Sequence, residues 1–222
     1  MLTLGMDEAG KGPVIGPLVL AGCLIDDKTA LEFKKLGIKD SKELTPKRRE
    51  FLAEKIREMA ETFEIRIIPP IEIDGNGGEE RTKLNELEGM IYAEIVNKIN
   101  KGYEKMRVVI DCPSPSINKW SDFVRTKIKE NSTIELVCEH KADKNHIAVS
   151  AASILAKSIR EKEMSLLKEK FGDEIGSGYC SDPATKRYVE RYAKKHKDSG
   201  IFRKTWITWK VAYENLNQKK LS

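Results

Sequence analysis

Residues 2–25 read LTLGMDEAGKGPVIGPLVLAGCLI, in which two strand patterns flank a glycine-rich turn. The stretch Leu2–Asp7 predicts a short strand that ends at this turn. The stretch Leu18–Ile25 is an unbroken apolar run, which predicts a strand buried on both faces. The chain therefore opens with two strands of a buried sheet.

Helices and strands alternate along the rest of the chain. Thr45 followed by Pro46 predicts a helix start, because Thr caps helices and Pro fits the first helical position. Apolar spacing predicts further helices near residues 84–99, 122–129 and 147–170 and from Asp182, and strands at 63–68, 108–110 and 134–138. We therefore expect an α/β fold, a mixed sheet with helices on its faces, and a helical C-terminal appendage.

Positive charge is concentrated late in the chain. The 222 residues have a net charge of +5, but residues 183–222 hold eleven Lys and Arg against three acids. This segment also holds six of the fifteen aromatic residues. Interleaved basic and aromatic side chains are typical of surfaces that bind nucleic acid. An amphipathic helix with a solvated lysine face explains the composition equally well.

The composition also argues against several classes of protein. No apolar run approaches the roughly 18–20 residues that a membrane span needs, and no basic signal-peptide region precedes Asp7. The four cysteines are widely spaced with no CxxC pair, which indicates neither a disulfide framework nor a zinc ribbon. We expect a cytoplasmic protein without a membrane partner.

Four carboxylates follow predicted strands. Asp7 and Glu8 end the first strand, Asp111 ends the strand at 108–110, and Asp143 lies just past the strand at 134–138. Close carboxylates repel by about 4 kcal/mol per pair at an effective dielectric near 20, so they coexist only with a proton or a cation among them. Oxygen ligands favour Mg²⁺ or Mn²⁺.

Each of these acids also has a simpler interpretation. A single Asp at a strand end is more often a helix cap or a turn former than a metal ligand. Adjacent side chains of a regular strand point to opposite faces, so Asp7 and Glu8 share one site only if the strand bends. Gly10 could permit such a bend.

Three further segments have the chemistry to contact a phosphate or a sugar. The turn Gly10-Lys11-Gly12 combines open backbone amides with a positive charge. Lys42 lies in the polar triplet Asp-Ser-Lys, and Tyr179 lies in a flexible Gly-Ser-Gly-Tyr turn where its ring could stack on a sugar or a base. For Lys42 and Tyr179, an ordinary turn is an equally good interpretation.

Five stretches occur in order across nearly the whole chain: MDEAGKGPVIGPLV at 6–19, KDSKELTP at 39–46, VVIDCPSP at 108–115, EHKADKNHIAVSAASILAK at 139–157 and GSGYCSDP at 176–183. Together they resemble the ribonuclease HII family, the type 2 ribonucleases H, and especially its archaeal form. The first and fourth stretches are the most specific.

The resemblance implies a ribonuclease H-like fold. With the charge distribution described above, we expect a catalytic domain at 1–182 and a basic helical substrate-binding segment at 183–222. The resemblance implies an enzyme that hydrolyses the RNA strand of RNA–DNA hybrids and cuts 5′ to ribonucleotides embedded in duplex DNA. Two divalent ions, Mg²⁺ or Mn²⁺, would serve this reaction. The implied catalytic and metal-binding residues are Asp7, Glu8, Asp111 and Asp143.

The resemblance also implies the residues that contact nucleic acid. Gly10, Lys11 and Gly12 correspond to the loop that reads ribose 2′-hydroxyls, Lys42 to a phosphate contact, and Tyr179 to the tyrosine that packs on the deoxyribose at the RNA–DNA junction. The family loop usually reads Gly-Arg-Gly, so Lys11 keeps the charge but loses the fork of donors.

The sequence leaves other functions and partners open. A non-catalytic hybrid-binding module or a DNA-directed nuclease on the same fold are the alternatives. We expect a monomer. Gln218 with an aliphatic residue three positions later resembles the sliding-clamp motif, but the two aromatic residues of that motif are missing. A clamp is therefore a candidate partner, and a chance match is the favoured interpretation.

Overall fold

The computed structural model describes residues 1–38, 44–75, 82–103, 105–130 and 132–218. Its single five-stranded sheet has the order β3-β2-β1-β4-β5. The strands are β1 (Leu2–Ala9), β2 (Leu18–Ile25), β3 (Thr62–Ile68), β4 (Met106–Asp111) and β5 (Ile134–Glu139). Strand β1 pairs antiparallel with β2 and parallel with β4, and β4 pairs parallel with β5. The predicted α/β class with a mixed sheet is confirmed.

Nine α-helices surround these strands in the part of the chain that the structure describes. They are α1 (Asp27–Lys35), α2 (Pro46–Met59), α3 (Pro70–Ile73), α4 (Leu84–Ile99), α5 (Ile117–Lys127), α6 (Ala142–Asn145), α7 (Ile147–Phe171), α8 (Pro183–Tyr192) and α9 (Ile207–Gln218). The Thr45 hydroxyl accepts a hydrogen bond from the Arg48 amide, as expected of an N-cap.

The short helices α3 and α6 are not predicted from the sequence, and α5 and α1 also differ from the sequence predictions. Helix α5 begins at Ile117 rather than near residue 122, because Trp120 is buried in its first turns and its indole donates to the Asn85 carbonyl. No apolar period predicts helix α1, since Phe33 is its one buried residue. Its start is fixed by Asp26, whose carboxylate accepts from the Thr29 amide at 2.7 Å.

Strand β1 is covered by a different helix on each face. A Cβ atom on Gly5 would lie 2.0 Å from the backbone of Ala148, so α7 packs directly against that face. A Cβ atom on Gly22, which pairs with Met6, would meet Ile95 of α4 at 2.7 Å on the other face. Because side chains alternate along a strand, Asp7 faces α7 and Glu8 faces α4.

The chain forms two compact units. The first comprises residues 1–9, 19–66 and 83–158, and the second comprises residues 10–18, 67–82 and 159–222. The second unit has its own apolar cluster, in which Val14 and Ile15 pack with residues from the last part of the chain such as Tyr188, Phe202 and Trp209. The functional division at residue 182 stays a prediction, because compact units describe packing and not roles.

Two general features of the chain bear on its class. Among the described residues, no helix combines the length and apolar character that crossing a bilayer requires. All four cysteines lie among the described residues, and none of them forms a disulfide bond.

Candidate active site

Three aspartates of the first unit converge at one edge of the sheet. Asp7 lies near the end of β1, Asp111 ends β4, and Asp143 lies in α6 directly after β5. Each offers a carboxylate oxygen, and these oxygens all lie within 4.8 Å of one another. They meet because β1, β4 and β5 run parallel, so their carboxyl ends share an edge.

Asp7 is held by its own strand and by α7. It is buried, and its Oδ1 accepts a hydrogen bond from the Glu8 amide at 2.8 Å. The Ser153 side chain hydrogen-bonds the same carboxyl, and Lys157 Nζ donates to Ser153 Oγ at 3.1 Å. The small-residue face of α7 therefore supports the acidic cluster as well as packing closely.

The other two aspartates are fixed by the segment that joins β5 to α7. Asp111 Oδ1 accepts from the backbone amides of Lys141 at 2.8 Å and Ala142 at 3.3 Å. Lys141 adopts a φ of 60°, a left-handed conformation that a non-glycine residue rarely takes. Ser150 Oγ donates to the Asp143 carbonyl at 2.6 Å. These contacts hold Asp143 next to Asp111.

Glu8 is not one of the three clustered carboxylates. Strand β1 stays regular through Ala9, which turns the Glu8 side chain to the α4 face. There the Tyr92 hydroxyl donates to Glu8 Oε2 at 2.8 Å. Tyr92 is fully buried, and burial raises the pKa of its phenol well above the ordinary value, with the charge of Glu8 adding to the effect. The sequence did not identify Tyr92 as a site residue, because locally it looks like any other buried residue of the apolar face of α4.

The electrostatics of the cluster favour a bound cation. Burial raises the pKa of the Asp7 carboxyl well above its ordinary value, and the charges of Glu8 and Asp111 raise it further. A buried carboxyl among like charges either keeps its proton or binds a cation. The three clustered residues offer carboxylate oxygens alone, the donor set that hard divalent cations such as Mg²⁺ and Mn²⁺ prefer. The residues therefore fit the predicted metal type.

The glycine-rich loop lies in the second unit and is held by the late segment of the chain. The carbonyls of Gly10 and Lys11 accept hydrogen bonds from the Arg203 guanidinium, at 2.6 and 2.8 Å. The Gly12 carbonyl accepts from Trp206 Nε1 at 3.1 Å. A Cβ atom on Gly12 would have no neighbour within 4 Å, so that position is open to approach. Sequence reasoning missed Arg203 and Trp206.

Tyr179 also lies in the second unit, on a turn whose backbone is hydrogen-bonded. Its ring is 40% exposed and packs on the guanidinium of Arg160, 4.9 Å from the ring centroid. Arg160 Nη2 also donates to the Ser177 carbonyl at 3.2 Å. The Asp182 carboxylate accepts from the Ser177 amide at 2.7 Å, which lowers the pKa of Asp182 to about 2. The Tyr179 ring is therefore exposed and also held in place by Arg160.

Lys42, the predicted phosphate contact, lies outside the described residues.

We expect Asp7→Asn to stabilise the metal-free protein at neutral pH. The folded state raises the pKa of Asp7 above its unfolded value, so ionisation of the unfolded chain favours unfolding at every pH above about 4. Asn does not ionise, so it removes this contribution to unfolding, and its side-chain oxygen can still accept a hydrogen bond from the Glu8 amide. In EDTA, the melting temperature of the variant should exceed that of the wild type at pH 7, and the difference should shrink toward pH 4.

Asp122→Asn, at an exposed position of α5, is the matched control and should change the melting temperature little. A lower melting temperature for Asp7→Asn than for the wild type at pH 7 in EDTA would contradict the electrostatic account of the cluster.

Comparison with known proteins identifies the family. A family model described as Ribonuclease HII matches residues 4–209. Ribonuclease HII of Pyrococcus furiosus is 39% identical over 217 residues, which cover 97% of this chain and 93% of that protein.

Two solved structures agree with this match. The ribonuclease H2 crystal structure from Pyrococcus horikoshii OT3 has a TM-score of 0.85 at 37% identity and covers 98% of this chain and 99% of its own. The structure of the PCNA:RNase HII complex from Archaeoglobus fulgidus matches with a TM-score of 0.80 at 38% identity, covering 93% and 95%. The chain therefore belongs to the ribonuclease HII family, and it is accordingly a ribonuclease H, a hydrolase.

Proposed function

We propose that this protein hydrolyses the RNA strand of RNA–DNA hybrids and cuts duplex DNA on the 5′ side of an embedded ribonucleotide. The observation that carries the proposal is the cluster of Asp7, Asp111 and Asp143, whose oxygens lie within 4.8 Å of one another. Membership of the ribonuclease HII family supports the substrate class. The reaction is attack of water on the phosphorus with breakage of the bond to the 3′-oxygen, which leaves a 3′-hydroxyl and a 5′-phosphate.

The four predicted carboxylates have different parts in this proposal. Asp7, Asp111 and Asp143 would hold divalent cations. Glu8, whose charge already acts on Asp7, would complete the ligand set only by turning from Tyr92 toward the cations. When held by these residues, two such ions would supply activation of the attacking water and stabilisation of the leaving oxygen. The chain's own contribution is to fix the ligands, through Ser153 on Asp7 and the backbone amides on Asp111.

Selection of RNA over DNA must rest on the 2′-hydroxyl, because the phosphates of the two strands are alike. We assign this reading to the backbone of Gly10, Lys11 and Gly12, which directly follows Glu8 and Ala9 in the chain. The backbone amides are unchanged where Lys11 replaces the family's usual Arg. Selectivity should therefore be kept, while the side-chain contribution to affinity is weaker.

Two other regions complete the proposed substrate contacts. The exposed ring of Tyr179, supported by Arg160, would pack on the deoxyribose at the RNA–DNA junction. Helix α8 exposes Lys186, Arg187 and Arg191, which would contact phosphates. The cytoplasm remains the expected location.

A sliding clamp is a further proposed partner. The A. fulgidus relative was solved as a PCNA:RNase HII complex, which supports a clamp interaction in this family. In this chain the candidate motif begins at Gln218, and residues 219–222 lie outside the described residues.

Mapping the cut on a duplex DNA that carries one ribonucleotide tests the proposal. With Mg²⁺ or Mn²⁺ we expect cleavage immediately 5′ to the ribonucleotide, and EDTA should abolish it. Asp7→Asn should lose at least about 100-fold in rate, because it removes a carboxylate from the cluster, while Asp122→Asn should cut like the wild type. Binding of the substrate by Asp7→Asn should be nearly unchanged.

The other outcomes discriminate between the alternatives. Cleavage of a long hybrid without cutting at a single ribonucleotide would reject the assigned roles of the loop and Tyr179. Metal-dependent cutting of all-DNA duplex would indicate a DNA-directed nuclease. Binding of hybrid without any cutting would indicate a non-catalytic module.

Substitution of Arg187 and Arg191 tests the role of α8. Deletion of residues 183–222 would be ambiguous, because it strips Tyr188, Phe202 and Trp209 from the apolar cluster of the second unit. In contrast, the two arginines are exposed. Arg187→Gln with Arg191→Gln should raise the KM and lower the slope of log affinity against log salt by up to about 2, because each neutralised phosphate contributes about 0.9 to that slope.

The matched control neutralises two exposed lysines of the first unit, with Lys28→Gln and Lys101→Gln. An unchanged salt slope in the α8 variant, or an equal change in the control, would count against a phosphate-binding role for α8.

A further inference from the structure

Arg203 is the most unusual buried side chain of the second unit. It is completely buried, yet it carries a permanent positive charge. Its Nε donates to the Gly16 carbonyl at 3.1 Å, its Nη1 to the Lys11 carbonyl at 2.8 Å and its Nη2 to the Gly10 carbonyl at 2.6 Å. One guanidinium therefore holds three carbonyls of the glycine-rich turn, using the rigid fork of donors that only Arg provides.

The segment that carries Arg203 is anchored to the same turn. The Arg203 amide donates to the Val14 carbonyl at 2.8 Å, and Phe202 forms a β-bridge with Ile15. The Trp206 ring covers the guanidinium, whose carbon lies 5.0 Å from the ring centroid. Trp206 Nε1 donates to the Gly12 carbonyl. The carbonyls of three consecutive residues, 10 to 12, are thus all bound by the segment 203–206.

This arrangement determines where the amides of the turn point. In a planar trans peptide, the carbonyl of one residue and the N–H of the next point in opposite directions. Because the Gly10 and Lys11 carbonyls point at Arg203, the N–H groups of Lys11 and Gly12 point away from it. Gly12 lies at the exposed side of the turn, where even an added Cβ would meet nothing. A cation bound to the carbonyl end of a peptide also polarises it, which strengthens the N–H as a donor.

We propose that Arg203 is a positioning residue that determines ribose specificity: it aims and polarises the Lys11 and Gly12 amides for the 2′-hydroxyl of the substrate. This inference rests on the proposed function, in which the loop reads ribose. Trp206 assists by fixing the Gly12 carbonyl. The Arg203 guanidinium is buried, donates to carbonyls of the turn and packs against Trp206, so we assign its effect on the substrate to the backbone of the turn.

The test measures ribose selectivity, the ratio of the Kd for an all-DNA duplex to the Kd for the same duplex with one ribonucleotide. The full chain is used on the Asp7→Asn background with Mg²⁺, so that cleavage does not consume the substrate. Arg203→Lys keeps the charge but cannot hold three carbonyls. It should lower the selectivity about tenfold or more, as expected of a misplaced contact, while the affinity for the all-DNA duplex stays within about twofold.

Thr205→Val is the matched control. Thr205 lies in the same segment, but its amide and hydroxyl donate to Asp74 and not to the turn. The control should retain the selectivity of the parent even if it lowers the melting temperature. A general loosening of the segment would instead reduce selectivity in both variants and would overturn the proposal.

The remaining outcomes separate this inference from the proposed function. If the parent has no ribose selectivity, the assigned role of the loop fails and the inference fails with it. If the parent is selective and folded Arg203→Lys is equally selective, only the inference is overturned. If Arg203→Lys does not fold, Trp206→Phe replaces it: removal of one hydrogen bond to Gly12 should lower selectivity about threefold, and unchanged selectivity would overturn the proposal.

Discussion

Mutual repulsion among Asp7, Asp111 and Asp143 is the interaction on which the rest of the site depends. Their oxygens lie within 4.8 Å of one another at the edge of a sheet, and Asp7 is buried. Burial and neighbouring charge both raise the pKa of Asp7. Hydrogen bonds from Ser153 to Asp7 and from backbone amides to Asp111 offset part of this repulsion. A divalent cation would balance the negative charge, and such cations prefer oxygen ligands.

The path of β1 determines where the side chains of Asp7 and Glu8 and the glycine-rich turn lie. Because β1 stays regular through Ala9, Asp7 faces α7 and Glu8 faces α4 and Tyr92. The glycine-rich turn follows at once, and its backbone is held by Arg203 and Trp206 from a segment nearly two hundred residues later in the chain. The carboxylates thus belong to one compact unit and the proposed ribose-reading turn to the other.

Local patterns predicted much of the fold and of the acidic cluster. Strands rich in apolar residues placed Asp7, Asp111 and Asp143 at strand ends, and parallel pairing brings those ends together. The contacts that Glu8, Tyr92, Arg203 and Trp206 make could not be predicted, because each joins residues far apart in the chain. A buried Arg in a basic segment has no local signature that distinguishes it from a solvated Lys or Arg.

Anomalous diffraction from crystals of the full chain soaked with Mn²⁺ tests the central claim most directly. The account predicts a manganese peak within coordination distance of carboxylate oxygens from Asp7, Asp111 and Asp143, and no such peak in crystals of Asp7→Asn at the same Mn²⁺ concentration. A wild-type crystal with no manganese between these three residues, or with manganese bound only elsewhere, would contradict it.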